Sequence, residues 1–245
     1  MRLTVLGAGD AFGTGGRLQA CFLLETTAAR VLVDCGATSL SALKGREIDP
    51  NAIDAILISH LHGDHFGGLP FFLLDAQFQS RRQAPLAILG PPGLETRLEA
   101  AMECFFPGST RNRWRFDWSV RELPEGPNDL GWATVTAAEG RHPCGAPPYA
   151  YRIEAEGRVF AYTGDTEWVD GLGPILTQAD LALAECYFPE PKAPFHLDLA
   201  TLAVHARSLG LARVLATHMG PDMLAAAKTA PPPFIPAAEG MTLDV

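Results

Sequence analysis

With 245 residues, 47% of them hydrophobic and 19% charged, the chain has the composition of a folded protein with a sizeable core, which argues against disorder. Its formal charge of −9 opposes a non-specific grip on nucleic acid, because phosphate-backbone binding needs clustered Lys and Arg. The five cysteines (Cys21, Cys35, Cys104, Cys144 and Cys186) are scattered, odd in number and without a C-x-x-C pair. They suggest neither a disulfide framework nor a thiolate zinc site, and read as reduced, mostly buried thiols.

The N-terminal apolar run is too short for a signal peptide and no stretch reaches the length of a membrane span, so a cytoplasmic protein is expected. Residues 3–6 read as a first strand, followed by the glycine-rich stretch Gly7 to Gly16. A glycine-rich turn after a strand, with Asp34 about 20 residues on, imitates a dinucleotide-binding fingerprint. That fingerprint requires a helix to open at the glycines. Here Gly15-Gly16 breaks the chain and Cys21 to Glu25 follows as a second strand, so the loop is expected to be structural or to edge an active site. Asp10 and Asp34 are then turn-forming or supporting groups. Residues 30–34 pair with 21–25 as a hairpin across 26–29.

Further along, 39–44 suits a short helix, Asp49-Pro50 restarts the chain, and 55–59 is an apolar strand. A helix follows over about 70–80, a strand over 85–89, a helix over 92–105 and a strand over 114–123. Around the start of the last of these, Arg111, Arg113 and Arg115 are interleaved with Trp114, Phe116 and Trp118. The period of two fits a half-buried strand with one solvated face better than a nucleic-acid patch. Strands are expected over 133–138, 149–155 and 158–163, the latter two joined at Glu156-Gly157. A strand over 180–186, a helix over 198–209 begun by Asp198 and ended by Gly210, a strand over 213–217 and a tail strand near 241–245 complete the reading. This pattern predicts one α/β layered domain, residues 1–245, with two sheets.

The chemistry concentrates where the strand 55–59 ends in His60-Leu-His62-Gly-Asp64-His65. Three imidazoles and a carboxylate within six residues make a poor core and a good metal loop. One loop cannot close a site, but His142, Asp165 and His218 each follow a predicted strand directly or within a short loop. Taken singly, His142 and His218 would read as surface or packed residues and Asp165 as a turn residue; beside the cluster they become candidates to complete it. The proposed site uses five of the seven histidines in the chain. Imidazole and carboxylate donors suit zinc, and also manganese or iron.

Together His60-Leu-His62-Gly-Asp64-His65, His142, Thr163-Gly-Asp165-Thr166 and Thr217-His218 resemble the metallo-β-lactamase superfamily over essentially the whole chain. The resemblance implies an αβ/βα four-layer sandwich with two mixed β-sheets flanked by helices, and a hydrolase holding two divalent metal ions, most readily zinc. It assigns His60, His62 and His142 to one ion, Asp64, His65 and His218 to the other, and Asp165 as a bridge, with Asp64 counted also among the catalytic groups.

Glu185-Cys-Tyr-Phe188 followed by His196, and the segment Pro143 to Ile153, are similar to the RNase Z branch. In that branch the carboxylate orients the imidazole, which protonates the leaving alkoxide; here Glu185 would orient His196, whose plainer reading is a loop or cap residue. His205, mid-helix, is a surface or packing residue. The branch's tRNA-gripping arm lies between the third His and the bridging Asp, but here His142 and Asp165 are only 23 positions apart and a hairpin fills the span. Pre-tRNA is therefore not the expected substrate. The resemblance points to an arm-less phosphodiesterase acting on a small or nucleotide-like substrate, without a membrane partner and with a possible homodimer. A thioesterase or lactonase on the same metals, or a catalytically silent sensing module, are the alternatives.

Overall fold

The computed structural model describes residues 1–245 and contains two seven-stranded mixed sheets. The first is built from β1 (Arg2–Gly7), β2 (Cys21–Glu25), β3 (Arg30–Val33), β4 (Ala55–Leu57), β5 (Leu86–Gly90), β6 (Trp118–Glu122) and β14 (Thr242–Asp244), in the order β14-β1-β2-β3-β4-β5-β6. The second comprises β7 (Gly126–Asp129), β8 (Thr134–Glu139), β9 (Tyr149–Ala155), β10 (Arg158–Tyr162), β11 (Leu181–Glu185), β12 (Val214–Thr217) and β13 (Phe234–Pro236), in the order β13-β12-β11-β10-β9-β8-β7. The two sheets share a plan: each joins an antiparallel stretch, β14 to β3 or β7 to β10, to a parallel one, β3 to β6 or β10 to β13.

Layering follows from side-chain alternation. Along β2, Phe22 and Leu24 face the other sheet while Cys21 and Leu23 face helices, and all four are buried. The inter-sheet core sets Leu3, Val5, Val31 and Val33 against Val135, Ile153, Phe160 and Leu183. The outer face of the first sheet is covered by α1 (Ser39–Gly45), α3 (Leu69–Leu74) and α4 (Leu94–Phe105). That of the second is covered by α5 (Leu172–Leu176), α6 (Leu199–Ser208) and α7 (Pro221–Ala226). Four layers therefore enclose three cores, the αβ/βα sandwich expected from the sequence.

Most predicted elements occur within a residue or two. The exception on the first sheet is the stretch before β6: strand pairing begins only at Trp118, not at Trp114. Exposure still alternates from Arg113 onward, because the buried Gln77 amide donates to the Arg113 carbonyl (3.0 Å) and accepts from the Arg115 N–H (2.9 Å). A side chain thus does the work of a neighbouring strand and turns Trp114 inward and Arg113 and Arg115 outward. The short helices α2 (Gly63–Phe66), α5 and α7 and the short strands β7 and β13 were not anticipated; each is too brief to show a period. No helix is long and apolar enough to cross a membrane.

Candidate metal centre

The parallel strands deliver their C-terminal ends to one edge of the sandwich. Asp34 follows β3, Ser59 and His60 follow β4, Asp165 follows β10, Glu185 ends β11 and His218 follows β12; His142 lies three residues beyond antiparallel β8. Ligands in open α/β sheets bind outside such strand ends. The carbonyl of Ile58 accepts from the Tyr151 hydroxyl (2.8 Å) and that of Ser59 from the Tyr149 N–H (2.8 Å), so β9 of the second sheet locks the end of β4 in place.

Close packing sets the His60 to His65 loop. His62, in an extended conformation, precedes α2, which turns Asp64 and His65 inward. A Cβ on Gly36 would lie 2.2 Å from the Asp64 carbonyl oxygen, and one on Gly68 would lie 2.3 Å from that of Gly36. Only glycine allows the β3 end and α2 to approach this closely. Three residues with side chains adopt the left-handed region at the site itself: Asp34 (φ 60°), Phe195 (φ 71°) and His218 (φ 55°). Such backbone strain, of the order of 1 kcal/mol per residue, persists where surrounding contacts fix the chain.

All seven predicted metal ligands converge. The donor atoms of His60, His62 and His142 form one group, and those of Asp64, His65, Asp165 and His218 a second, each within 4.8 Å of one another. His142 Nε2 and His62 Nδ1 are 3.0 Å apart. Asp165 Oδ2 stands between the groups, 3.8 Å from His60 Nε2, 3.4 Å from His65 Nε2 and 3.2 Å from His218 Nε2. His60 Nε2, His65 Nε2 and Asp165 Oδ1 are buried without a hydrogen-bond partner. Buried polar atoms left unpaired cost free energy, and three of them spread over the two donor groups fit divalent-ion ligation.

The far nitrogens of the rings are held by protein. The buried Asp34 carboxylate accepts from His65 Nδ1 (2.7 Å), the Ser59 N–H (2.7 Å), the Ser59 hydroxyl (2.8 Å) and the Tyr162 hydroxyl (2.7 Å). Ser59 Oγ also lies 3.1 Å from His60 Nδ1, and His142 Nδ1 donates to the Phe195 carbonyl (2.9 Å). Fixing one nitrogen as the donor leaves the other with a lone pair for a metal. Asp34 thus supports the site, and Asp10 forms a turn, its carboxylate accepting from the Phe12 and Thr14 N–H groups and the Thr14 hydroxyl.

Within the cluster the charges of the side chains partly compensate one another. Burial, then the neighbouring His65, drives His60 well toward its neutral form. For His65 and His218 burial acts the same way but is outweighed, by Asp165, Asp64 and Asp34 at His65 and by Asp165 and Asp64 at His218, which is raised to about 9. Asp165 stays ionised despite its burial because His218 and His65 face it.

His196 and Glu185 stand at the rim of this cluster. Glu185 Oε1 is hydrogen-bonded to His196 Nδ1, and Glu185 Oε2 accepts from the N–H groups of Thr166 (3.0 Å) and Leu197 (3.1 Å). His196 reaches a cavity of about 250 Å³ that is also lined by His62, Asp64, His142, Asp165, His218, Tyr187 and Phe12. Burial opposes the charged form of His196, yet the Glu185 carboxylate lifts its pKa above the ordinary value. His205 lies outside the site, stacked on Trp168 with ring centroids 3.4 Å apart. Ser59, Tyr162, Phe195, Tyr187 and Phe12 were not singled out from the sequence. Each adjoins or lies within a stretch the sequence did mark: Ser59 and Phe195 precede His60 and His196, Tyr162 precedes the Thr163 to Thr166 motif, Tyr187 lies within the Glu185 to Phe188 motif and Phe12 within the glycine-rich loop.

Sandwich and donor cluster together define a metallo-hydrolase of the metallo-β-lactamase fold. The chain belongs to the family described as anti-Pycsar protein Apyc1, whose model matches residues 1–231. It is 26% identical over 225 residues to YhfI of Bacillus subtilis, spanning 89% of this chain and 87% of that protein, and 26% identical over 242 residues to a ribonuclease Z of Mycobacterium bovis (90% and 86%). Among solved structures it is similar to the metallo-β-lactamase fold protein YhfI of Bacillus subtilis (TM-score 0.81, 23% identity, 99% of each chain) and to the short form of human tRNase Z (TM-score 0.79, 24% identity, 100% and 99%). A diphosphatase of the PhnP family shares the fold equally (TM-score 0.79, 19% identity, 100% and 97%).

Proposed function

We propose that the chain is a dinuclear metal-dependent phosphodiesterase acting on a small or nucleotide-like substrate. The observation that carries this reading is that His196, held by Glu185, opens on the same cavity as five of the seven candidate ligands, His62, Asp64, His142, Asp165 and His218. Two divalent ions held there, most readily zinc, would supply Lewis-acid polarisation and acidify water. The protein's own part is to hold ligand tautomers through Asp34, Ser59 and the Phe195 carbonyl, and to keep a proton on His196. An alkoxide leaving group needs that proton, whereas a thiolate leaves unaided, so an oriented acid favours phosphodiester over thioester chemistry. Between His142 and Asp165 the chain forms only a loop and the β9–β10 hairpin, and the charge is −9, which supports a small substrate over pre-tRNA.

Metal analysis combined with a panel of bis-p-nitrophenyl phosphate, cyclic nucleotides, thioesters and lactones tests the proposal. Metal-dependent turnover of phosphodiesters is expected, abolished in Asp165→Ala. Absence of metal and of turnover on every substrate would overturn it.

A further inference from the structure

The loop carrying the candidate ligand His142 and the loop carrying His196 meet at one peptide unit. Phe195, immediately before His196, has a left-handed backbone (φ 71°) that a side-chain-bearing residue adopts only under external constraint. Both polar groups that flank this residue are tied. Its carbonyl accepts from His142 Nδ1 at 2.9 Å, and its N–H donates to Glu167 Oε2 at 2.7 Å. The other oxygen, Glu167 Oε1, pairs with the Arg141 guanidinium at 3.2 Å, and the Glu167 N–H donates to the Arg141 carbonyl (3.3 Å). Between them the Thr166 hydroxyl accepts from the Arg141 N–H (2.7 Å) and donates to the Glu167 carbonyl (2.6 Å). Two residues from Asp165, Glu167 thus sits where the ends of β8 and β10 and the His196 loop converge.

We propose that Glu167 is a positioning residue that acts through Phe195 on two functional imidazoles at once. Holding the Phe195 N–H fixes the backbone whose carbonyl keeps His142 in the tautomer with Nε2 free, and it fixes the start of the segment whose next ring is the proton donor. Glu185 secures the far side, through the His196 ring and the Leu197 N–H. Without Glu167 the Phe195 N–H has no partner, and Phe195 is free to leave a conformation that costs it free energy. The carbonyl then swings off His142 and His196 loses its placement. This assignment rests on the phosphodiesterase reading for His196, but not for His142.

Two readouts separate the parts. Competition for Zn²⁺ between the metal-free protein and a chromogenic chelator measures ligand orientation with no reaction involved; Glu167→Ala is expected to weaken apparent Zn²⁺ affinity about 10-fold. With zinc saturating, the kcat penalty should be larger for a ribonucleoside cyclic phosphate, whose alkoxide needs a proton, than for bis-p-nitrophenyl phosphate, whose phenolate does not, with KM changing less than kcat. Glu167→Gln keeps an acceptor oxygen and should restore affinity and kcat to within about threefold of the parent. Glu167→Asp, one methylene too short, should behave as the alanine variant does and carries the test if that variant fails to fold. Parental zinc affinity in the alanine and aspartate variants, an equal kcat penalty on both diesters, or a glutamine variant as impaired as alanine would overturn the assignment. A parent protein that turns over neither diester would instead remove the phosphodiesterase reading and leave the zinc competition to decide the role toward His142.

Discussion

Replacing Asp34 by Asn tests whether a single buried carboxylate organises the centre. The aspartate receives four hydrogen bonds; of their donors the Ser59 N–H on Oδ1 cannot reverse its role at all, and His65 Nδ1 on Oδ2 can do so only by a change of tautomer. Asparagine has one acceptor oxygen and one amide nitrogen, so every orientation sets an NH2 against one of these N–H groups. The Ser59 and Tyr162 hydroxyls can rotate to accept, but the N–H groups cannot. If the amide nitrogen meets His65, the ring is driven to carry its proton on Nε2, the nitrogen that faces Asp64 and Asp165. A charge-assisted hydrogen bond is worth about 1.5–3 kcal/mol, and about 2 kcal/mol corresponds to roughly a 30-fold loss of affinity. That lies within the range of about 10–100-fold found for partners of metal-bound histidines. Chelator competition should therefore show zinc binding weakened about 30-fold, and calorimetry a lower Tm for the metal-free variant. Asp34→Asn with parental zinc affinity and parental Tm would refute the argument.

Other consequences are as specific. Because Glu185 raises the His196 pKa above its ordinary value near 6.5, turnover of alkyl phosphodiesters should fall as pH rises through that raised value, and His196→Ala should remove this alkaline limb while sparing bis-p-nitrophenyl phosphate. The same shift makes His196 stabilising below its unfolded pKa, a contribution lost as pH climbs through the folded one, so Tm measured against pH should decline less in His196→Ala over that interval. Arg82, buried, donates to the carbonyls of Pro50, Asn51, Ile53, Ala84 and Pro85; Arg82→Met leaves those oxygens unpaired and should cost about 3 kcal/mol in urea unfolding, with the zinc stoichiometry unchanged. Of the five thiols only Cys104 is exposed, and burial pushes Cys21 up to about 12, so a thiol reagent at pH 8 should modify one cysteine in the native protein and five after denaturation.

Much of the fold was legible because most strands are buried on both faces and separated by turns with distinct chemistry. The β9–β10 hairpin illustrates this: Glu156 and Gly157 both adopt positive φ (56° and 70°), as a two-residue turn between twisted strands demands. The stretch from Trp114 to Asp117 misled for a physical reason. Alternating exposure is the signature of an extended chain with one face covered, and the Gln77 side chain, nearly 40 residues away, provides that cover without a neighbouring strand. Sequence period reports the periodicity of burial, not which group accepts the hydrogen bonds.

The candidate site divides along the same line. His60, His62, Asp64 and His65 announced themselves because four donor side chains in six residues have no place in a core, and His142, Asp165 and His218 because each stood at a strand end. What places these donors left no comparable mark. Tyr162 looks like any inward aromatic of a β-strand, yet its hydroxyl reaches Asp34 across the inter-sheet core. Phe195 looks like a loop residue, yet its main chain, not its side chain, does the work, and a backbone carbonyl carries no residue identity to read. Ligands are therefore written in residue type, while their orientation is written in topology: the β3 end supplies Asp34, the β4 end Ser59, and the chain leaving β11 returns through Phe195. Candidate ligands of this kind can be listed from one sequence, but the tautomers that would let them hold a metal follow only once both sheets have closed over them.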